Sequence, residues 1–128
     1  MELINILKNI KYTGNPDDRN ITNITHDSRK VKEGTLFIAI SGEKNDGHDF
    51  IFDAIKKGAT AIVANGRAPL TNIVPIIQVN NPRKIMSKIA ANFYNNPSKT
   101  LKIIGITGTN GKTTTTQIID CILKDNNL

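Results

Sequence analysis

The run Thr35-Leu36-Phe37-Ile38-Ala39-Ile40 is the feature that most constrains this chain. Six uncharged residues are too few for an amphipathic helix and far short of the roughly 18 that a membrane helix needs. A short, continuous apolar run reads instead as a strand covered on both faces, which demands a layer of structure above it and another below. Residues 59–64 and 73–79 are further strands of this kind, and Ile21-Thr22-Asn23-Ile24-Thr25 has the β-branched character of a strand. Around them the apolar spacing changes to three and four. Leu3, Ile4, Leu7 and Ile10 predict a helix over 2–10. Phe50, Ile51, Ala54 and Ile55 predict another over 48–57, with Asp46 as its N-cap and Gly58 as its stop. Asn81 and Pro82 open a third helix, whose apolar face is Ile85, Met86, Ile89, Ala90 and Phe93. Alternating strands and helices argue for an α/β domain. The polar stretch Asn95-Asn96-Pro97-Ser98 then marks a boundary, with one domain over 1–97 and the start of a second over 98–128.

Composition narrows the class. A chain of 128 residues with 38% apolar and 22% charged residues is neither disordered, collagen-like nor disulfide-dense. The N-terminus is interrupted by Glu2, Asn5 and Lys8 and makes a poor secretory signal, while Cys121 stands alone; both point to a soluble, cytosolic setting. The net charge of +6 invites a nucleic-acid reading. Against it, the cations are mostly Lys scattered along the chain, and no Lys/Arg-flanked aromatics are placed to stack bases. A modest basic field attracting anionic small molecules is the stronger inference. No nucleic-acid or membrane partner is expected.

The segment Thr107-Gly108-Thr109-Asn110-Gly111-Lys112-Thr113-Thr114 carries the most chemistry. It follows a predicted strand over 101–106 and opens a predicted helix with Ile118, Ile119, Ile122 and Leu123 on one face. A Gly-rich turn at a helix N-terminus presents several free N–H groups and the positive end of the helix dipole to a phosphate. Gly108 and Gly111 let the backbone bend around the anion, Lys112 would reach terminal phosphates, and the Thr113 hydroxyl would ligate Mg²⁺. The general phosphate-loop pattern places a glycine where this chain has Ile106. Asn110-Gly111 is also a hairpin signal that would make the threonine run a strand, although the spacing of three and four downstream argues for a helix. Elsewhere, His26 and His48 have no Cys, Asp or Glu at metal-ligand spacing, so no zinc site is expected. His48 reads as a structural hydrogen bonder, Cys121 as packed, and Asp27 with Arg29 as either a pair bracing a turn or part of a site.

Gly-Thr-Asn-Gly-Lys-Thr-Thr at 108–114 resembles the ATP motif of the Mur ligases, which accounts for Ile106. The resemblance extends upstream through Asp27-Ser28-Arg29, Gly34-Thr35-Leu36-Phe37-Ile38-Ala39, Gly42, Asp46-Gly47-His48-Asp49-Phe50 and Gly58-Ala59. Asn92-Phe93-Tyr94-Asn95-Asn96-Pro97-Ser98 is similar to the tripeptide-synthetase (MurE-type) branch, whereas the D-alanyl-D-alanine-adding (MurF-type) branch typically has Ser at position 109 or 110. The resemblance implies an α/β substrate-binding domain with a mixed sheet and helices, followed by the first strand, P-loop and helix of an ATPase domain. It implies ATP and Mg²⁺ as cofactors, held by Gly108, Thr109, Asn110, Gly111, Lys112, Thr113 and Thr114, with Lys112 catalytic and Thr113 the metal ligand. By position, His26, Ser28, Glu43, Lys44 and Asn45 would contact the uridine-diphosphate end of a UDP-N-acetylmuramoyl peptide. The implied reaction activates the substrate carboxylate as an acyl phosphate and joins it to a diamino acid. The chain itself would be an inactive N-terminal piece of such a ligase. The alternatives are a piece of the D-alanyl-D-alanine-adding enzyme, an isolated UDP-sugar-binding module and, from composition, a nucleic-acid-binding module.

Overall fold

In the computed structural model, which describes residues 1–42, 45–69 and 71–126, the central apolar run is strand β2 (Thr35–Ile38), all four residues of it buried. Its neighbours are β1 (Asn23–Thr25) and β3 (Ala59–Ala64), and β4 (Ile76–Gln78) extends the sheet in the order β1-β2-β3-β4. All three ladders are parallel. The mixed sheet expected from the sequence is therefore corrected. Antiparallel pairing is confined, among the described residues, to the isolated bridges Glu2–Asn20, Thr13–Gln78 and Ser41–Asp46. Each connection between consecutive strands returns the chain to the end of the sheet where it started, which is what parallel pairing requires.

Residues along β2 alternate between two cores, as a strand buried on both faces must. Leu36 and Ile38 join Leu3, Ile6, Ala61, Val63, Ile77 and Ile89 on one side. Phe37 and Ala39 join Ile51, Ala54, Ile62 and Ala64 on the other. Helices α1 (Leu3–Ile6) and α3 (Pro82–Phe93) thus cover one face and α2 (Ile51–Lys56) the other. In β3, Ala59 faces the α2 side and Ala61 the opposite one, which a strict period of two forbids. The ladder explains it: the register between β2 and β3 shifts at Thr35/Leu36, leaving Thr60 as an extra residue. The Thr60 carbonyl accepts from Arg19 NH1 at 2.5 Å, so the irregularity leaves it paired.

Helix boundaries follow local chemistry. The predicted helix over 2–10 shortens to α1 because Asn9 takes a positive φ of 61° and turns the chain. Asn92 then ties α3 to this turn, its Nδ2 donating to the carbonyls of Ile6 at 2.8 Å and Lys8 at 3.0 Å. Before α2 the chain makes a 3₁₀ turn, Gly47–Phe50, capped by the Asp46 carboxylate accepting from His48 N–H. Asn81 caps α3 by accepting from Lys84 N–H at 3.0 Å, and Pro82 occupies its first position. Gly58, with φ +99°, ends α2; a Cβ there would stand 2.9 Å from the Glu33 backbone.

The chain divides into two compact units, Met1–Pro97 and Ser98–Leu128. In the second, α4 (Lys112–Asp125) forms as the apolar spacing predicts, whereas residues 101–106 make no ladder. A strand needs a partner strand for its N–H and C=O groups, and among the described residues of this unit there is none. Leu101, Ile103, Ile104, Ile118 and Ile122 are exposed, and Cys121, expected to pack, is exposed as well.

Phe37 is fully buried beneath α2, so Phe37→Ala is expected to lower the stability of the first unit by about 3–5 kcal/mol in urea unfolding followed by circular dichroism. A loss below about 1 kcal/mol would mean that this layer does not hold the sheet.

Candidate functional site

A parallel sheet places every strand's carboxyl end on one edge, and in such sheets that edge is where ligands bind. Here residues 26–29 leave β1, residues 40–42 and 45–46 follow β2, residues 65–67 leave β3, and residues 80–83 lead from β4 into α3. A cavity of about 510 Å³ opens between the first two of these connections and the head of α3. Its walls include His26, Ser28, Gly42 and Asn45, and also Phe50 and Arg83. Three of the five substrate-contacting positions expected from the sequence, His26, Ser28 and Asn45, therefore meet in one place. Glu43 and Lys44 lie outside the described residues.

The β1 side is organised by Asp27. Its carboxylate accepts from Arg29 N–H at 3.0 Å and from the Arg29 guanidinium through Nε and NH2, both at 2.9 Å. The Arg29 side-chain hydrogen bonds, with the backbone one behind them, hold the Asp27 carboxyl down at about 2. Asp27 and Arg29 thus brace the 3₁₀ turn Ser28–Lys30, and the charge of Arg29 is matched by its neighbour. The Ser28 carbonyl is held by Lys57 Nζ at 3.3 Å, while no protein group among the described residues occupies the Ser28 hydroxyl.

Asp46 organises the β2 side. It accepts from His48 N–H at 3.0 Å, from His48 Nδ1 at 2.6 Å and from the Ser41 hydroxyl at 3.1 Å, and Arg67 NH1 lies 3.5 Å away. Gly42 N–H donates to the Asn45 carbonyl and Gly47 N–H to that of Ile40, so both feet of the loop are tied. His48 is buried with its Nε2 unpartnered among the described residues. It is a structural hydrogen bonder, as the sequence suggested. The His48 backbone N–H, followed by its side chain, holds the Asp46 carboxyl at about 2.

In the second unit, Gly111 stands at the N-cap of α4 with φ +75°, a conformation that favours glycine. No side chain caps this helix, in contrast to α3, and its first bond runs from Thr115 N–H to the Gly111 carbonyl at 2.9 Å. The N–H groups of Lys112, Thr113 and Thr114 precede that bond and have no acceptor within the helix. Lys112 Nζ folds back over the loop, donating to the carbonyls of Gly108 at 2.5 Å and Thr109 at 3.3 Å. The later threonines bond within the helix: Thr115 Oγ1 to the Gly111 carbonyl and Thr116 Oγ1 to that of Lys112, each at 2.9 Å. The hairpin reading of Asn110-Gly111 is excluded, because the residues after it are helical.

Phe50 and Arg83 were not singled out in the sequence. Arg83 was legible in principle, as a cation one residue past a predicted Asn-Pro helix start that follows a strand. Phe50 is read from the sequence as a helix-face residue and as the end of a family motif, with no role in the site. No helix among the described residues is long and apolar enough to cross a membrane.

The lowered pKa of Asp46 has a signed consequence. A depressed folded-state value adds stability above the ordinary aspartate value of 3.8, and that stability is lost as pH falls toward about 2. Wild-type protein should therefore melt above Asp46→Asn at neutral pH, with the gap closing between these two values in melting curves run against pH. A gap that stays constant through this window would contradict the assignment.

The family model described as Mur ligase family, catalytic domain, matches residues 20–94, well over half of the chain. A UDP-N-acetylmuramoyl-L-alanyl-D-glutamate–2,6-diaminopimelate ligase of Syntrophomonas wolfei is 42% identical over 98% of this chain, which covers 26% of that protein. A UDP-N-acetylmuramyl-tripeptide synthetase 2 of Oceanobacillus iheyensis is 47% identical over 99%, again covering 26% of the relative. Among solved structures, a MurF ligase from Thermotoga maritima in complex with ADP superposes with a TM-score of 0.62 at 33% identity, covering 80% of this chain and 23% of that one. A MurF from Acinetobacter baumannii superposes with a TM-score of 0.76 at 24% identity, covering 97% and 27%, a likeness that shows the fold alone. The chain spans about a quarter of the length of the curated relatives it matches. With the family's own pattern running from β1 through α3, the chain belongs to the Mur ligase family.

Proposed function

We propose that residues 1–97 are the UDP-substrate-binding domain, and residues 98–128 the opening of the ATP-binding domain, of an ATP-dependent ligase of peptidoglycan precursor synthesis. The reaction adds a diamino acid to UDP-N-acetylmuramoyl-L-alanyl-D-glutamate through an acyl phosphate, in the cytoplasm. The observation that carries this reading is the meeting of His26, Ser28 and Asn45 in one cavity at the carboxyl edge of the sheet. Relatives named for the diaminopimelate-adding and tripeptide-synthetase reactions, at 42% and 47% identity, favour the diamino-acid reaction over the D-alanyl-D-alanine-adding one.

Ser28 supplies a hydroxyl free to donate to a phosphate or uracil oxygen, on a turn that the Asp27–Arg29 pair keeps rigid. The family pattern also assigns Glu43 and Lys44 to the UDP ligand; both lie outside the described residues. Gly108–Thr114 suits a nucleotide by its donor set. The first-turn N–H groups of α4 face no side-chain acceptor, and the Lys112 ammonium, now on the Gly108 and Thr109 carbonyls, is a cation placed to exchange those for phosphate oxygens. Thr113 offers a hydroxyl to Mg²⁺. ATP with Mg²⁺, when bound, supplies the phosphoryl group that makes the substrate carboxylate a competent acyl donor. Residues of this chain hold and neutralise the phosphates.

Calorimetric titration tests the reading. The 128-residue chain should bind UDP-N-acetylmuramoyl-dipeptide, should not bind ATP, and Ser28→Ala should weaken the UDP ligand by about tenfold, the scale of a hydrogen bond to a charged group. No UDP-ligand binding, or binding unchanged in Ser28→Ala, would overturn the assignment of this cavity. ATP binding lost in Lys112→Ala would show that the loop is already competent in this chain. A salt-sensitive affinity for DNA or RNA above that for UDP ligands would favour a nucleic-acid module instead.

A further inference from the structure

We infer that Arg83 binds the diphosphate of the nucleotide ligand in the carboxyl-edge cavity. This rests on the UDP reading above and adds a residue and a chemical role to it. Several positive charges around that cavity are already matched. Arg29 is doubly bonded to Asp27. Arg67 lies 3.5 Å from the Asp46 carboxylate, and Lys57 lies 2.6 Å from that of Asp53. Arg83 lines the cavity together with Ser28 and Asn45, and among the described residues it has no carboxylate partner. Among the described residues its hydrogen bond is from NH2 to the Ser41 carbonyl, at 3.3 Å.

That arrangement suits an anion. A guanidinium carries five N–H donors in a planar fork, and the bond to Ser41 uses one of them. The remaining donors match two oxygens of a phosphate, a pairing that an ammonium does not reproduce. The Ser41 contact also fixes where the fork sits, because Ser41 is bonded through its hydroxyl to Asp46 and stands at the foot of the loop that bears Asn45. Arg83 further lies in the first turn of α3, where the helix dipole disfavours a cation; a bound anion reverses that penalty. A purely bracing role for Arg83 would need only the single bond to Ser41 and gives no reason for a charge in the cavity wall that no carboxylate among the described residues matches.

The experiment compares UDP with uridine, which share the base and ribose and differ in the diphosphate. Wild-type chain, Arg83→Ala and Arg83→Lys are titrated with each ligand by NMR, at two salt concentrations, after circular dichroism confirms that each variant is folded. Arg83→Ala is expected to weaken UDP by about tenfold or more and to flatten the salt dependence, with uridine affinity changed less than about twofold and Arg83→Lys intermediate for UDP. Wild-type affinity for UDP in Arg83→Ala, or equal losses for UDP and uridine, would overturn the inference while leaving the UDP reading standing. Failure of the wild-type chain to bind UDP would remove that reading and the inference with it.

Discussion

Burial of a parallel sheet on both faces is the constraint from which the rest follows. β2 cannot satisfy its side chains from one side: Leu36 and Ile38 need the α1–α3 layer, and Phe37 and Ala39 need α2. Once two layers are required, the strands are joined by crossovers, and crossovers deliver every strand end to the same edge. The cavity exists because the connections leaving β1 and β2, together with the head of α3, are brought to that edge. The polar residues there are thus set in place by the topology of an apolar core.

Two acidic residues at this edge, Asp27 and Asp46, act as braces. Asp27 holds the turn that presents Ser28, and Asp46 holds the loop that bears Asn45, each by accepting from the backbone N–H and the side chain of the residue two positions on. Both carboxyls are held at about 2 and remain charged at neutral pH. Beside the cavity proposed to bind an anion they would be liabilities as free charges. Paired with Arg29 in one case, and lying near Arg67 while accepting the hydrogen bonds of His48 in the other, they shape the backbone while adding little net repulsion.

Elements whose cause is local were legible in the sequence. The buried run at β2, the Asn81-Pro82 start of α3, the Asp46 cap and the Gly58 stop each depend on a few adjacent residues, and each appears where the residues put it. What was not legible depends on distant partners. The all-parallel pairing and the extra residue Thr60 are properties of ladders between segments far apart in the chain. The expected strand over 101–106 has the right residues but, among the described residues, no partner to pair with, and Cys121 is exposed. In the site, Ser28 and Asn45 were found through the family pattern, whereas Arg83, a cation just past a predicted helix start, is tied to them only once the fold brings the head of α3 to the same cavity. In the threonine run at 113–116, Thr115 and Thr116 close hydrogen bonds onto the first turn of α4.

The most direct test of the central claim, that the carboxyl edge of the parallel sheet is where the ligand binds, is a map of backbone amide chemical-shift changes on adding UDP to the isotopically labelled chain. The account predicts shifts concentrated at residues 26–29, 40–42, 45–47 and 80–83. A second cavity, of about 420 Å³ and lined by Lys11, Tyr12, Thr13 and Gln78, offers the contrast. Shifts centred on residues 11–13, with the 26–29 turn unmoved, would contradict it.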